Sequence, residues 1–228
     1  MFKQVFKAAI TAAALLFSTD VSAAPYAAIV IDARDGTVLH SRNAETRLHP
    51  ASLTKMMTLY MAFEAVESGA LSLDQQIRIS RNAASEPPSR LGLRAGQRIS
   101  VRYLIRAAAV RSANDAATAL GEAIAGSESA FAARMTTTAQ SLGMTQTTFR
   151  NAHGLTATGH MSTARDMAEL SRHLFYDFPQ YYNIFGRTST NAGMATVRNT
   201  NRRLLNAYRG KSSEIGSSLM EIVQAKAQ

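Results

Sequence analysis

HPASLTKMMT, residues 49–58, is the stretch that decides how the rest of the chain is read. Pro50 fixes its own φ and suits the start of a helix. From Ser52 to Ser68 apolar residues recur at Leu53, Met56, Met57, Tyr60, Met61 and Val66, and Gly69 closes the run. That spacing predicts a helix over 52–68, buried on most sides, with Ser52 in its first turn. Residues three apart on a helix are neighbours, so Ser52 and Lys55 share a face. A serine hydroxyl is a weak nucleophile until a base takes its proton, and a neutral lysine can be that base. Standing alone, such a tetrad reads more plainly as a solvated helix face.

Working outward, Tyr26–Asp32 (YAAIVID) reads as a strand, with a partner at 37–41 across the turn Ala33-Arg34-Asp35-Gly36. Asp-Gly between apolar alternations is a hairpin signal. Downstream, 71–80 and 91–99 read as short extended pieces around a polar loop containing Pro87-Pro88. A helix follows over 101–110, with Ser100 as its N-cap. Ser112-Ala113-Asn114 interrupts it, and a second helix runs from about Asp115 to Ala125. The SAN turn brings a further hydroxyl and an amide, although by itself Ser-x-Asn is most often a cap or turn. A helix over 128–142 ends at Gly143. Thr163-Ala164-Arg165-Asp166 opens another, reaching about Tyr176. Pro179 ends that region, with one more turn expected over 181–185. Residues 210–228 show no clean period and are expected to be poorly ordered, a weak helix at best.

The 228 residues carry a net charge of +9 and no cysteine. Residues 1–23 read as a signal peptide: Lys3 and Lys7 precede the apolar run Ala8–Phe17, and Val21-Ser22-Ala23 is a small-residue cleavage site. The run is too short to span about 30 Å of hydrocarbon, which disfavours a membrane anchor. The chain is thus expected to be exported, to a periplasm or cell envelope, without disulfides to staple it. What remains is long enough for a sizeable core, as one domain or one domain with a small subdomain, without repeats or low-complexity linkers. The basic residues are scattered singly, with no aromatic-interleaved run, which argues against nucleic acid. An excess of positive charge favours anionic surfaces such as cell-wall polymers or phospholipid heads, so peripheral membrane contact is one reading. A solvated basic face is the other. His40, His49, His153, His160 and His173 lack metal-ligand spacing, so neither metal nor cofactor is expected. His153, beside Gly154, reads as part of a structural turn that could line a cleft.

Taken together, HPASLTKMMT, RSANDAA around Ser112, FRNAHGL at 149–155, MSTARDMAEL at 161–170 and NTNRRLL at 199–205 resemble the low-molecular-weight penicillin-binding proteins. These are the serine D-alanyl-D-alanine carboxypeptidases of peptidase family S11. Class A β-lactamases share the SxxK and S-D-N logic, but here the middle residue is Ala113 and no Glu-rich deacylation loop is evident. The resemblance implies an α/β, β-lactamase/transpeptidase-like fold. In it, an antiparallel sheet is covered by helices, with a helical cluster beside it, over residues 24–209. It also implies roles. Ser52 would attack the terminal D-Ala-D-Ala bond of a peptidoglycan stem peptide and form an acyl-enzyme, and β-lactams would be inhibitors. Lys55 would accept the serine proton. Ser112 would relay a proton to the leaving amine, and Asn114 would hold the substrate amide and help position Lys55.

In the family, a segment like Asn201–Leu205 leads into a Lys-Thr-Gly strand that binds the substrate carboxylate and completes the oxyanion hole. The sequence here contains no Lys-Thr-Gly, and Lys211-Ser212-Ser213 is the nearest candidate. The substrate-binding residues are therefore unassigned, and the chain reads as C-terminally truncated, with its sheet incomplete at that end. Three outcomes stand: an impaired carboxypeptidase, a non-catalytic exported protein that binds cell-wall peptide or penicillin, or an unfolded fragment.

Overall fold

The computed structural model describes residues 26–200 and the backbone of 219–225. The expected leader at 1–23, the NRRLL segment and Lys211–Ser213 lie outside the described residues.

The hairpin forms where the alternation placed it, as β1 (Tyr26–Asp32) and β2 (Val38–Arg42). Ala27, Ala28, Ile29 and Ile31 of β1 are buried, while every residue of β2 is exposed. β2 is thus an outer strand held by backbone pairing, with a register shift between Val30 and Ile31. On its other side β1 pairs antiparallel with β7 (Leu219–Ala225), Ile29 facing Ile222, which gives the order β2-β1-β7. That strand corrects the expectation of a weak helix in the tail. β-Branched Ile222 and Val223 suit a strand, and pairing with β1 supplies the context that local periodicity lacked.

The helix at 52–68 begins later than its spacing suggested. Ala51–Leu53 form a 3-10 turn, and α1 runs Thr54–Glu67 with ten of its residues buried. Two small sheets flank the helices. One pairs β3 (Gln76–Arg78) with β4 (Arg98–Ser100), and the other pairs β5 (Ser189–Asn191) with β6 (Thr196–Arg198). Between β3 and β4 the expected loop contains a short helix, α2 (Arg81–Ser85), capped by the Ser80 hydroxyl. α3 (Val101–Arg111), α4 (Asn114–Ala125), α5 (Glu128–Ser141) and α6 (Ala164–Asp177) follow, then α7 (Pro179–Tyr182).

Thr163 Oγ1 caps α6 by accepting the Asp166 N–H at 3.0 Å. The reciprocal half of the capping box is absent, because the Asp166 carboxylate is bonded to Thr147 and the Gln146 N–H instead. Ser100 precedes α3 without a side-chain cap, its hydroxyl accepting from Gln76.

α6 packs on β1 and β7, and α1 lies among α3, α4 and α6. Phe63, Leu104, Leu120, Phe131 and Phe149 are fully buried there. α4 and α5 approach so closely that a Cβ at Gly121 would stand 2.5 Å from the Phe131 ring. This packed helical centre carries the site residues. No helix among the described residues is long and apolar enough to cross a membrane.

Candidate active site

Three chain segments meet at the start of α1. Pro50 leads into Ala51, whose φ of 46° is left-handed, an arrangement costing a non-glycine residue about 1–3 kcal/mol. Neighbouring segments close tightly around this turn. A Cβ on Gly154, itself at φ +90°, would fall 1.8 Å from the Ala51 carbonyl oxygen, so only glycine fits against the turn. His49 Nδ1–H donates to the His160 carbonyl at 2.9 Å, and Leu48 exchanges backbone bonds with Ser162. The His160 ring is buried. Its Nδ1 accepts the Arg150 N–H at 3.1 Å, so the proton sits on Nε2 and is donated to Thr54 Oγ1 at 2.8 Å. Burial above all, with neighbouring positive charge such as Arg150 adding to it, pushes the His160 pKa down to about 4.

This scaffold presents two very different side chains. Ser52 is exposed, and its hydroxyl has no hydrogen-bond partner among the described residues. Lys55, one turn on, is only 3% exposed, and its Nζ donates to the His153 carbonyl at 2.7 Å. Burial drives the Lys55 pKa down to about 8, against the opposing pull of the Glu86 carboxylate. A lysine in that range offers a neutral amine near neutral pH, as a base for a hydroxyl must.

Ser112 ends α3 in the left-handed conformation, φ 58°, and Asn114 opens α4 with its side chain buried. The loop that follows α2 is stitched to this turn. Asn114 Nδ2 donates to the Pro87 carbonyl at 2.9 Å and its N–H to the Ser89 carbonyl at 2.7 Å. Ser89 Oγ donates to the Arg111 carbonyl, and Arg111 Nε to the Arg90 carbonyl. The Asp115 carboxylate accepts the N–H groups of Leu91, Gly92 and Leu93 at 2.8–3.0 Å. Of the expected roles, Asn114 is committed to Pro87, and no hydrogen bond joins Lys55 to Ser52, Ser112 or Asn114 among the described residues.

Sequence reading did not single out Glu86 or Glu128. With His153 they are the described residues whose ligand atoms could reach a common metal ion. Their oxygens, however, already take bonds from His153, Thr118, Asn82 and the Ala152 N–H, the pattern of an internal hydrogen-bond network. Burial raises the Glu128 carboxyl, but the bonds from His153 and Asn82 outweigh it and leave the group below its usual range. Neither acid stands at a motif spacing, so only the folded chain reveals them.

The D-alanyl-D-alanine carboxypeptidase model of peptidase S11 matches residues 12–213. The chain belongs to this family. Among S11 relatives, it is 37% identical over 188 residues to Bacillus subtilis DacF, a D-alanyl-D-alanine carboxypeptidase, covering 80% of this chain and 48% of that protein. It is 38% identical over 182 residues to Escherichia coli DacC, covering 77% and 46%. The chain therefore spans about half the length of the curated S11 relatives it matches. Among solved S11-like structures, penicillin-binding protein 5 from Haemophilus influenzae superposes with a TM-score of 0.75 at 32% identity, covering 79% of this chain and 54% of that one. Penicillin-binding protein D2 from Listeria monocytogenes, solved in an ampicillin-bound form, gives 0.67 at 31% identity, covering 79% and 73%. The penicillin-binding-protein fold expected from the sequence is thus the one observed.

Proposed function

We propose that this chain carries the acylating part of a serine D-alanyl-D-alanine carboxypeptidase that is exported to act on peptidoglycan stem peptides. The observation behind this reading is an exposed serine hydroxyl one turn from a buried lysine whose ammonium is destabilised. In the proposed reaction, Lys55 takes the Ser52 proton as Oγ attacks the carbonyl of the terminal D-Ala-D-Ala bond. The tetrahedral intermediate collapses to a Ser52 ester as the amide C–N bond breaks. Ser112 passes a proton to the departing D-alanine amine, and Asn114 lies beside the substrate amide. Water then hydrolyses the ester and regenerates Ser52.

A second reading rests on the sequence, which as given contains no Lys-Thr-Gly. Without that strand the carboxylate contact and one oxyanion donor would be missing. One such donor alone is worth roughly 10²–10³ in rate. The chain would then bind or acylate while turning over poorly, which is the non-catalytic binding role.

A fluorescent penicillin decides between them when paired with a D-alanine release assay. Covalent labelling is expected, lost in Ser52→Ala and nearly lost in Lys55→Ala. Its rate should climb about tenfold from pH 7 to pH 9 as Lys55 goes from about a tenth neutral to about nine-tenths. Labelling that persists in Ser52→Ala and maps to another serine would overturn the assignment. Labelling without D-alanine release would favour the second reading.

A further inference from the structure

Behind Lys55 lies a polar cluster that the proposed reaction does not use. His153 Nδ1 accepts the Leu155 N–H at 3.1 Å, which places the imidazole proton on Nε2. That Nε2–H points between two acids, Glu86 Oε1 at 3.3 Å and Glu128 Oε1 at 3.2 Å. The Thr118 hydroxyl lies 3.0 Å from Glu86 Oε1 and 3.4 Å from Glu128 Oε1. Asn82 and the Ala152 N–H also donate to Glu128, and Thr58 donates to the Ala152 carbonyl at 2.6 Å. Glu86 and His153 are both less than a tenth exposed. Buried carboxylates carry a desolvation cost that well-packed apolar side chains of similar size would avoid. Two cationic side chains approach this cluster: Arg90 Nη1 meets the Glu86 carbonyl at 3.5 Å, while Lys55, which Glu86 attracts, donates its N–H to the backbone carbonyl of His153 itself.

We propose that Glu86, His153 and Glu128 form a positioning unit for Lys55. The unit fixes the carbonyl that receives the lysine N–H and, through the Glu86 charge, sets how readily that lysine gives up its proton. The ring bonds hold the His153 main chain while its carbonyl holds Nζ. Each acid acts through this arrangement and touches no reacting atom.

The surrounding elements supply few competitors. α4 brings Asp115, whose carboxylate is committed to three loop amides. α5 brings Glu128. The 150s segment brings His153 and Arg150, and His160 meets Thr54 on the neighbouring face. The loop after α2 brings Arg90, whose Nη1 meets the Glu86 carbonyl at 3.5 Å, and Glu86 itself, the acid whose charge favours the Lys55 ammonium. Removing it takes away the counter-charge of the ammonium, so the Lys55 titration moves to lower pH.

The proposal rests on reading Lys55 as the base, but its test needs neither substrate nor penicillin. Lys55 is the sole lysine from residue 8 to residue 210, so a chain labelled with ¹³C at the lysine ε-carbon gives a short spectrum. The Lys55→Ala variant assigns its peak. The full chain should titrate at Lys55 near pH 8. Glu86→Gln should lower that midpoint by about half a unit or more, about threefold in the acid dissociation constant. Glu128→Gln should shift it the same way by less, whereas Glu45→Gln, a surface acid paired with Arg165, should leave it in place. A merely structural role would broaden or unfold the spectrum without moving the midpoint in this order. Equal midpoints in the wild type and Glu86→Gln overturn the proposal. Should Glu86→Gln fail to fold, an unmoved midpoint in Glu128→Gln overturns it instead. Penicillin labelling that survives Lys55→Ala would sink the enzymatic reading and leave this titration result standing.

Discussion

Acid should loosen this fold through one histidine. His160 is 1% exposed and held neutral, donating through Nε2 to Thr54 and accepting through Nδ1 from Arg150. Its folded value of about 4 lies well below the ordinary 6.5. Between those pH values the unfolded chain binds a proton that the folded chain refuses. Stability from this group is therefore complete above pH 6.5 and drains away as pH falls towards 4. The full span corresponds to about 3 kcal/mol, with about 2 kcal/mol gone by pH 5. Urea unfolding of the wild type and His160→Gln at pH 7.5 and pH 5.0 isolates the effect, since carboxylate titrations are common to both proteins. The wild type should lose about 2 kcal/mol more than the variant over that interval. Equal losses would mean that the imidazole is charged or solvent-accessible in the fold, and the hydrogen-bond assignment at Nδ1 would be wrong.

Two further substitutions probe the scaffold. Gly154→Ala puts a methyl into the Ala51 carbonyl and strains a φ of +90°, so it should cost about 2–4 kcal/mol and depress penicillin labelling more than it depresses the melting temperature of the helical core. Circular dichroism melts set against labelling rates check this. Asp115→Ala strips three N–H groups of their acceptor, and limited trypsin digestion should then cut at Arg90 and Arg94 at least about tenfold faster, while Asp115→Asn behaves more mildly.

The parts of the fold that were legible in sequence are those that local chemistry dictates. The hairpin was readable because Asp35-Gly36 sits between apolar alternations, and α6 because Thr163 announces its start. The start of α1 was misplaced because Pro50 and the apolar stripe look helical from Ser52. In fact Ala51 is left-handed, its carbonyl accommodated by Gly154 a hundred residues away, and that segment is a 3-10 bend. α2 was missed because Arg81–Ser85 is a single short turn whose stability comes from the Ser80 cap and its packing on α4. β7 depends on β1 as a partner, a long-range fact. At the site, Ser52, Lys55, Ser112 and Asn114 were nameable from two short motifs. Glu86 and Glu128 were not, since an acid's meaning here lies in which imidazole it faces.

Both hydroxyls proposed to act on substrate sit at or beside a backbone kink. Ala51 precedes Ser52 and Ser112 is itself left-handed, yet neither position holds the glycine or asparagine that such geometry favours. The chain thus tolerates strain at the two places where its chemistry is proposed to occur, while glycine relieves it in the ordinary turns. Selection for heat resistance alone would replace Ala51 and Ser112 early, and the survivors would be sturdier and less reactive. Thermal robustness and acylation would then trade against each other at these two residues, a conflict that the well-packed helices around them do not share.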